Sequence, residues 1–140
     1  MKTWIKYGLL NALLGLIVGI GINLNGFAIA APVAAFLIGG LFWKLLNKDK
    51  ITNIRIVITG ILSGSISHYL TFILFGVIGN IHYWTTGNTA FTPSIPDMLV
   101  RSVVMTLFSL LFLGWLTVPY AIIMGFILKR VEEKKNMENS

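Results

Sequence analysis

The sequence contains no cysteine, and its 140 residues include only five acidic side chains and two histidines. Without cysteine, disulfides, thiolate nucleophiles and cysteine-ligated zinc or iron–sulfur sites are excluded. The nucleophile-elbow, zinc-protease and phosphate-loop motifs are missing as well. His68 and His82 would lie about 21 Å apart along a helix, too far to share one metal ion. The sequence therefore predicts a protein that is not an enzyme and that holds no metal and no cofactor.

Charge is also scarce: charged residues make up 11% of the chain and hydrophobic residues 56%, with a mean hydropathy of +0.82. A soluble domain carries roughly 25% charged residues. Four apolar runs, at about 7–24, 27–46, 56–81 and 99–128, are each long enough to cross a hydrocarbon layer of about 30 Å as a helix. The predicted fold is all-α: a polytopic membrane protein with a four-transmembrane-helix bundle, one membrane domain over 1–140 and a polar tail at 129–140.

The basic residues are unevenly distributed along the chain. Ten of the eleven fall in three groups that flank apolar runs, namely Lys2 and Lys6; Lys44, Lys48, Lys50 and Arg55; and Lys129, Arg130, Lys134 and Lys135. By the positive-inside rule, this pattern predicts a multi-pass protein of the cell inner membrane with both termini and the 47–53 loop in the cytoplasm. Its partners would be the lipid bilayer and, at these clusters, anionic headgroups, and not nucleic acid.

A different interpretation of the N-terminus stays open. Lys2 and Lys6 followed by an apolar run and Ala28-Ile29-Ala30 resemble a signal peptide with its cleavage site. Cleavage there would leave three spans and a mature N-terminus outside the cell.

Local signals predict how the helices begin, end and turn. Asn23-Leu24-Asn25-Gly26 predicts a tight turn between the first two spans. Ser94-Ile95-Pro96-Asp97 places a capping hydroxyl three residues before a carboxylate, which indicates the start of the last helix. Asp97 and Arg101 then form an i,i+4 pair, and Pro119 predicts a kink. Aromatic side chains are expected at the membrane interfaces, with Trp115 as an exception inside the last span: Trp4, Tyr7, Trp43, Tyr83 and Trp84.

Small residues recur at helical spacing on three of the four spans. These stripes are Asn11, Gly15 and Gly19; Ala31, Ala35 and Gly39; and Gly60 and Gly64, leading to His68. Small side chains let helix backbones approach closely in lipid, where packing and hydrogen bonds drive association. We expect them to pack within one bundle; the alternatives are a dimer face or a substrate path.

His68 lies near the middle of the third span within a belt of hydroxyls made of Ser63, Ser65, Ser67, Tyr69 and Thr71. A polar residue at that depth is a candidate for binding a ligand or relaying a proton, together with Asn11, Ser67 and Thr106. The competing interpretation is a neutral imidazole that clamps helices together through Asn11, Thr106 or Ser109.

Residues whose pattern predicts helix packing outnumber those that could carry catalysis or bind a ligand. We therefore expect a non-enzymatic accessory or structural subunit that packs as a homo-oligomer or with a larger membrane protein; protection against a membrane-active toxin is one form of this role. The alternative is an oligomeric transporter or channel for a small solute or ion, with a polar path built from Asn11, His68, the nearby serines and Thr106.

Overall fold

The computed structural model describes residues 2–22, 24, 26–48, 50–87 and 94–138. It contains four helices, α1 (Thr3–Ile22), α2 (Phe27–Leu46), α3 (Asn53–Thr85) and α4 (Ile95–Glu138). All four are long and apolar enough to cross a membrane, as judged by length and composition. The predicted all-α fold with four spanning helices is confirmed, and this is the architecture of a multi-pass membrane protein.

Helices α3 and α4 extend beyond both ends of the apolar runs that predicted them, and α2 has its predicted bounds. Helix α1 begins before its predicted start at about 7 and ends at Ile22, before its predicted end at about 24. Polar caps fix where α3 and α4 begin: the Thr52 hydroxyl accepts from the Arg55 amide, and the Ser94 hydroxyl accepts from the Asp97 amide. At the far end of α4, i,i+4 pairs of lysine and glutamate continue the helix into the polar tail. With 44 residues, α4 is about 66 Å long, roughly twice the hydrocarbon thickness.

The helices pack in chain order, α1 on α2, α2 on α3 and α3 on α4, and a smaller contact between α1 and α4 closes the bundle. Gly26 supports the predicted tight turn before α2, because its φ of 85° is a conformation that favours glycine. Asn23 and Asn25 of the same turn lie outside the described residues. Consecutive helices are therefore antiparallel neighbours.

The small-residue stripes lie against neighbouring helices of the same chain. A Cβ added at Gly15 would come within 2.8 Å of the Ala31 carbonyl oxygen on α2, and one at Gly19 within 2.9 Å of the Ala28 Cα. Gly60 and Gly64 face α4. An added Cβ would lie 2.8 Å from the Ile122 nitrogen at Gly60 and 2.9 Å from the Val118 Cα at Gly64. On α2, Gly39 packs against the Asn11 side chain.

A hydrophobic core lies at the end of the bundle where α1 and α3 begin and α2 and α4 end. Tyr7, Trp43, Ile56 and Leu128 are buried there, and the Tyr7 and Trp43 rings lie 4.6 Å apart between centroids. Both rings face the inside of the bundle, where Gly125 leaves room for them, and their predicted position at the depth of the membrane interface stays a prediction. Trp84 and Trp115 are exposed.

The same end of the bundle carries ten of the eleven basic residues, and we call it the basic end. Lys6 of α1 pairs with Glu132 of α4 at 3.2 Å, and Lys129 donates to the Asn53 side chain. The hydrogen bond from Lys6 holds the pKa of the Glu132 carboxyl below its ordinary value. The first turn of the polar tail is thus attached to the bundle.

Two expectations about α4 have different outcomes. The cap at its start is confirmed, since the Ser94 hydroxyl donates to the Asp97 carboxylate at 2.6 Å. The ion pair between Asp97 and Arg101 is not formed, because the carboxylate is turned back toward Ser94. Helix α4 continues through Pro119 without interruption from Ile95 to Glu138.

Candidate binding pocket between the helices

A small pocket lies inside the bundle at about half its depth, and all four helices line it. Its volume is about 50 Å³, and a buried water needs roughly 10–15 Å³ of such space, so it has room for a few non-hydrogen atoms. Its polar lining residues come from α1, α3 and α4, and its apolar ones include Ala31 and Ala35 of α2. The polar ones are Asn11, Ser67, His68, Thr71, Ser109 and Thr117.

The His68 imidazole joins α3 to two positions on α4. Its Nδ1 lies 2.7 Å from the Ser109 hydroxyl and its Nε2 lies 3.0 Å from the Thr117 hydroxyl. Ser109 and Thr117 are eight residues apart, about 12 Å along the helix axis, so the ring spans two turns of α4. Both ring nitrogens have a hydroxyl partner, and the side chain is buried.

The two hydroxyls beside His68 cannot play the same role while the imidazole is neutral. One ring nitrogen donates its proton and the other accepts one, so one hydroxyl accepts from the ring and the other donates to it. The hydroxyl that accepts from the ring does not donate its own proton to it. Within the described chain, neither the Ser109 nor the Thr117 hydroxyl has a backbone partner. The pocket therefore contains one uncommitted O–H donor next to the ring, whichever tautomer is present.

Three other polar side chains of the pocket each donate a hydrogen bond to a carbonyl on their own helix. The Ser67 hydroxyl donates to the Gly64 carbonyl and the Thr71 hydroxyl to the Ser67 carbonyl. The Asn11 amide donates to the Tyr7 carbonyl. What these hydroxyls offer to the pocket is therefore their lone pairs, which accept hydrogen bonds.

Of the four predicted ligand or relay residues, the pocket brings together three: Asn11, Ser67 and His68. Thr106 lies outside it, and its hydroxyl donates to the Ser102 carbonyl one turn back. The interpretation of His68 as a helix clamp named Asn11, Thr106 or Ser109 as its partner. Of these three, Ser109 is the one within hydrogen-bonding distance of the imidazole. Among the predicted packing residues, Gly15, Ala35 and Gly64 also line the pocket, whereas Gly19, Gly39 and Gly60 do not.

Thr117 is the polar residue of the pocket that the sequence did not single out. Ser109, Leu113 and Thr117 follow one another at a spacing of four, so they share one face of α4 and all line the pocket. Thr117 could have been identified from the sequence because its hydroxyl lies two helical turns from that of Ser109, on the helix that follows the one carrying His68.

Aromatic side chains lie on both sides of the pocket along the axis of the bundle. On the side toward the basic end lies the core of Tyr7 and Trp43. On the other side the Phe27 ring packs against Phe72 and Phe75, each at 5.6 Å between centroids. A solute in water at either end would have to pass one of these clusters to reach His68.

The chemistry of the pocket is polar and uncharged. No lysine, arginine, aspartate or glutamate lines it, and no cluster of three or more metal-ligating side chains occurs in the described parts of the chain. Such a lining can hold a neutral molecule by hydrogen bonds, while an ion would enter without a counter-charge.

Comparison of the chain with protein-family models, with curated proteins and with solved structures finds no match. The chemistry of the chain's own residues is therefore what indicates its function.

Proposed function

We propose that this protein is a non-enzymatic accessory subunit of the inner membrane that packs with copies of itself or with a larger membrane protein. The observation that carries the proposal is a broad aromatic and aliphatic face on the half of α4 farthest from the basic end. There Leu111 is 75% exposed, and Phe112 and Trp115 are each 71% exposed. The buried residues of this half are small or polar: Ser102, Thr106 and Gly114.

The position of Trp115 is what favours a protein partner over lipid alone. Tryptophan in membrane proteins prefers the interfaces with water, yet Trp115 lies well inside an apolar span and faces outward. Its indole N–H is satisfied by the Phe112 carbonyl at 2.6 Å, so the ring can be covered without losing a hydrogen bond. Aromatic anchors of this kind are enriched at the centres of protein interfaces.

The absence of cysteine from the sequence makes a clean cross-linking test available. Leu111→Cys places a thiol on this face, and Leu13→Cys on α1, which is 51% exposed, is the matched control. In native membranes, we expect oxidation or a thiol-attached photo-crosslinker to join the residue 111 variant to a second copy or to one defined larger protein. Equal cross-linking from positions 13 and 111, or lipid adducts alone, would contradict an accessory role.

The orientation in the membrane is part of the same proposal and has its own test. Because the basic end carries nearly all the lysine and arginine, we place it in the cytoplasm together with both termini. A membrane-impermeant maleimide should label Thr86→Cys in intact cells and Lys50→Cys only after permeabilisation. Both positions are exposed, so the reverse pattern would invert the topology.

The pocket around His68 favours a second candidate function, an oligomeric transporter or channel for a small solute. Its hydroxyls and imidazole are the polar groups on which such a path would depend. Flux in proteoliposomes that is lost with His68→Ala, while cross-linking through residue 111 is retained, would favour transport over the accessory role. Wild-type protein without flux would remove this candidate.

A further inference from the structure

The pocket around His68 lies where α1 and α4 part from each other. Among the described residues, the side-chain bonds that join these helices include Lys6 to Glu132, Tyr7 to the Ala121 carbonyl and Tyr120 to the Leu10 carbonyl. All of them lie between the pocket and the basic end. Beyond them the gap between the two helices is flanked by aliphatic, partly buried side chains that also line the pocket: Leu14, Val18 and Leu113.

This arrangement leaves the side of the bundle as the route to the pocket. Aromatic clusters lie on both axial routes, one around Tyr7 and Trp43 and one around Phe27. In a membrane, the gap between α1 and α4 faces acyl chains rather than water. A ligand that uses this route must therefore be soluble in the bilayer.

The hydrogen-bonding groups of the pocket define the polar end of such a ligand. Beside His68 there is one uncommitted O–H donor, from Ser109 or Thr117, and the Ser67 and Thr71 hydroxyls offer acceptor lone pairs. A ligand hydroxyl matches both, because it accepts one hydrogen bond and donates another. An ether or a ketone matches the donor alone, and a charged group has no counter-charge in the lining.

The size of the pocket limits how much of the ligand it takes. About 50 Å³ accommodates a hydroxyl with the first carbons that carry it, and not a ring system or a phosphorylated headgroup. The remainder of the molecule would lie in the gap between α1 and α4, against Leu14, Val18 and Leu113. We propose that this pocket binds the hydroxyl end of an uncharged long-chain alcohol that enters from the bilayer between α1 and α4. This site is independent of the accessory role proposed above.

Photolabelling of the full-length protein in phosphatidylcholine nanodiscs tests the site. The probe is hexadecanol with a diazirine next to the hydroxyl-bearing carbon, and the labelled peptides are identified by mass spectrometry. We expect labels within 11–18 and 109–117, and a competing excess of unlabelled hexadecanol should remove them. Labels spread evenly over the lipid-facing residues of all four helices, or labels that hexadecanol does not remove, would overturn the proposal.

A series of competitors tests the chemistry of recognition. Hexadecyl methyl ether lacks the donor and should compete about five- to tenfold more weakly than hexadecanol, as expected for one lost hydrogen bond. Hexadecane, palmitate and hexadecyltrimethylammonium should compete more weakly still. Equal competition by palmitate or by hexadecane would overturn the assignment to a neutral alcohol.

A pair of variants tests whether the pocket itself is responsible. Ala35→Leu places a larger side chain in the cavity, and Ala12→Leu makes the same change at a partly buried position outside it. We expect Ala35→Leu to abolish the competed labelling and Ala12→Leu to retain it, with circular dichroism showing that both variants stay folded. Should Ala35→Leu unfold, the map of labelled residues in the wild-type protein still decides the proposal. Equal labelling of two folded variants would overturn it.

Discussion

Replacing Gly60 by alanine tests how closely α3 and α4 must approach. The added Cβ would lie 2.8 Å from the backbone nitrogen of Ile122 and 3.0 Å from its Cα. An ordinary contact at this position is 3.4–4 Å, so the two helix backbones must separate by about half an ångström or more. A rotamer change of Ile122 can move its Cγ1, the nearest atom to the added Cβ, but it cannot relieve the contacts with the backbone nitrogen and Cα.

The expected cost follows from two opposing effects. Overpacking of a tight contact costs typically about 1–3 kcal/mol, whereas glycine to alanine in a helix gains up to about 1 kcal/mol in propensity. Gly79 lies on the same helix with no atom within 4 Å of an added Cβ, so Gly79→Ala shows the propensity effect alone. The free energy of unfolding of Gly60→Ala should therefore be lower than that of Gly79→Ala by about 1–3 kcal/mol.

Reversible unfolding in mixed detergent micelles, followed by circular dichroism, measures this difference. The two variants carry the same chemical change in the same helix, so effects on the unfolded state largely cancel. A difference below about 0.5 kcal/mol, or a Gly60→Ala variant more stable than Gly79→Ala, would mean that α3 and α4 are not in close backbone contact at Gly60.

Three further predictions concern contacts at the two ends of the bundle. Tyr7→Phe removes the buried hydrogen bond to the Ala121 carbonyl and should lower the free energy of unfolding by about 0.5–1.5 kcal/mol. The control Tyr83→Phe, at an exposed position of α3, should change it by less than about 0.5 kcal/mol. A double-mutant cycle of Lys6→Met and Glu132→Gln should give a coupling of about 0.5–1 kcal/mol. Lys6 lowers the pKa of the Glu132 carboxyl, so this coupling should be fully present above pH 4.5, the ordinary pKa of the group. It should fade as the pH falls through the lowered pKa. A coupling energy that does not change with pH would contradict the ion pair. Ser94→Ala should cost about 1 kcal/mol by removing the cap of α4, seen as faster amide exchange in its first turn only.

The fold could be predicted because the length and apolarity of a membrane-spanning helix can be recognised in the sequence. A run of about 20 apolar residues without charge has one economical structure in lipid, and α2 was predicted to the residue for this reason. The ends of α3 and α4 were predicted too short because a helix does not stop where the hydrocarbon stops. It continues as long as caps and i,i+4 pairs, such as Lys129 with Glu133, support it in water.

The candidate site was predicted in part, and the limit has a physical cause. The depth of a residue in the membrane follows from its position along a span, so the sequence could place His68 at mid-depth. Which residues on other helices face it depends on helix rotation and on lateral neighbours, which a single apolar span does not encode. Thr106 and Thr117 therefore looked alike in the sequence, and the structure turns the first toward Ser102 and the second toward His68. For the same reason the sequence did not show that Tyr7 and Trp43 face the inside of the bundle.

The two halves of the bundle differ in what holds them together, and both proposals depend on this difference. Toward the basic end, α1 and α4 are joined by an ion pair and by the Tyr7 and Tyr120 hydrogen bonds around a well-packed core. Beyond Asn11 these bonds end, and the space left between the helices is the uncharged pocket. The same separation leaves α4 supported chiefly by α3, with Phe112 and Trp115 facing outward. The pocket and the exposed face of α4 therefore lie in the same half of the bundle, in which the described residues of α1 and α4 are not joined by side-chain bonds.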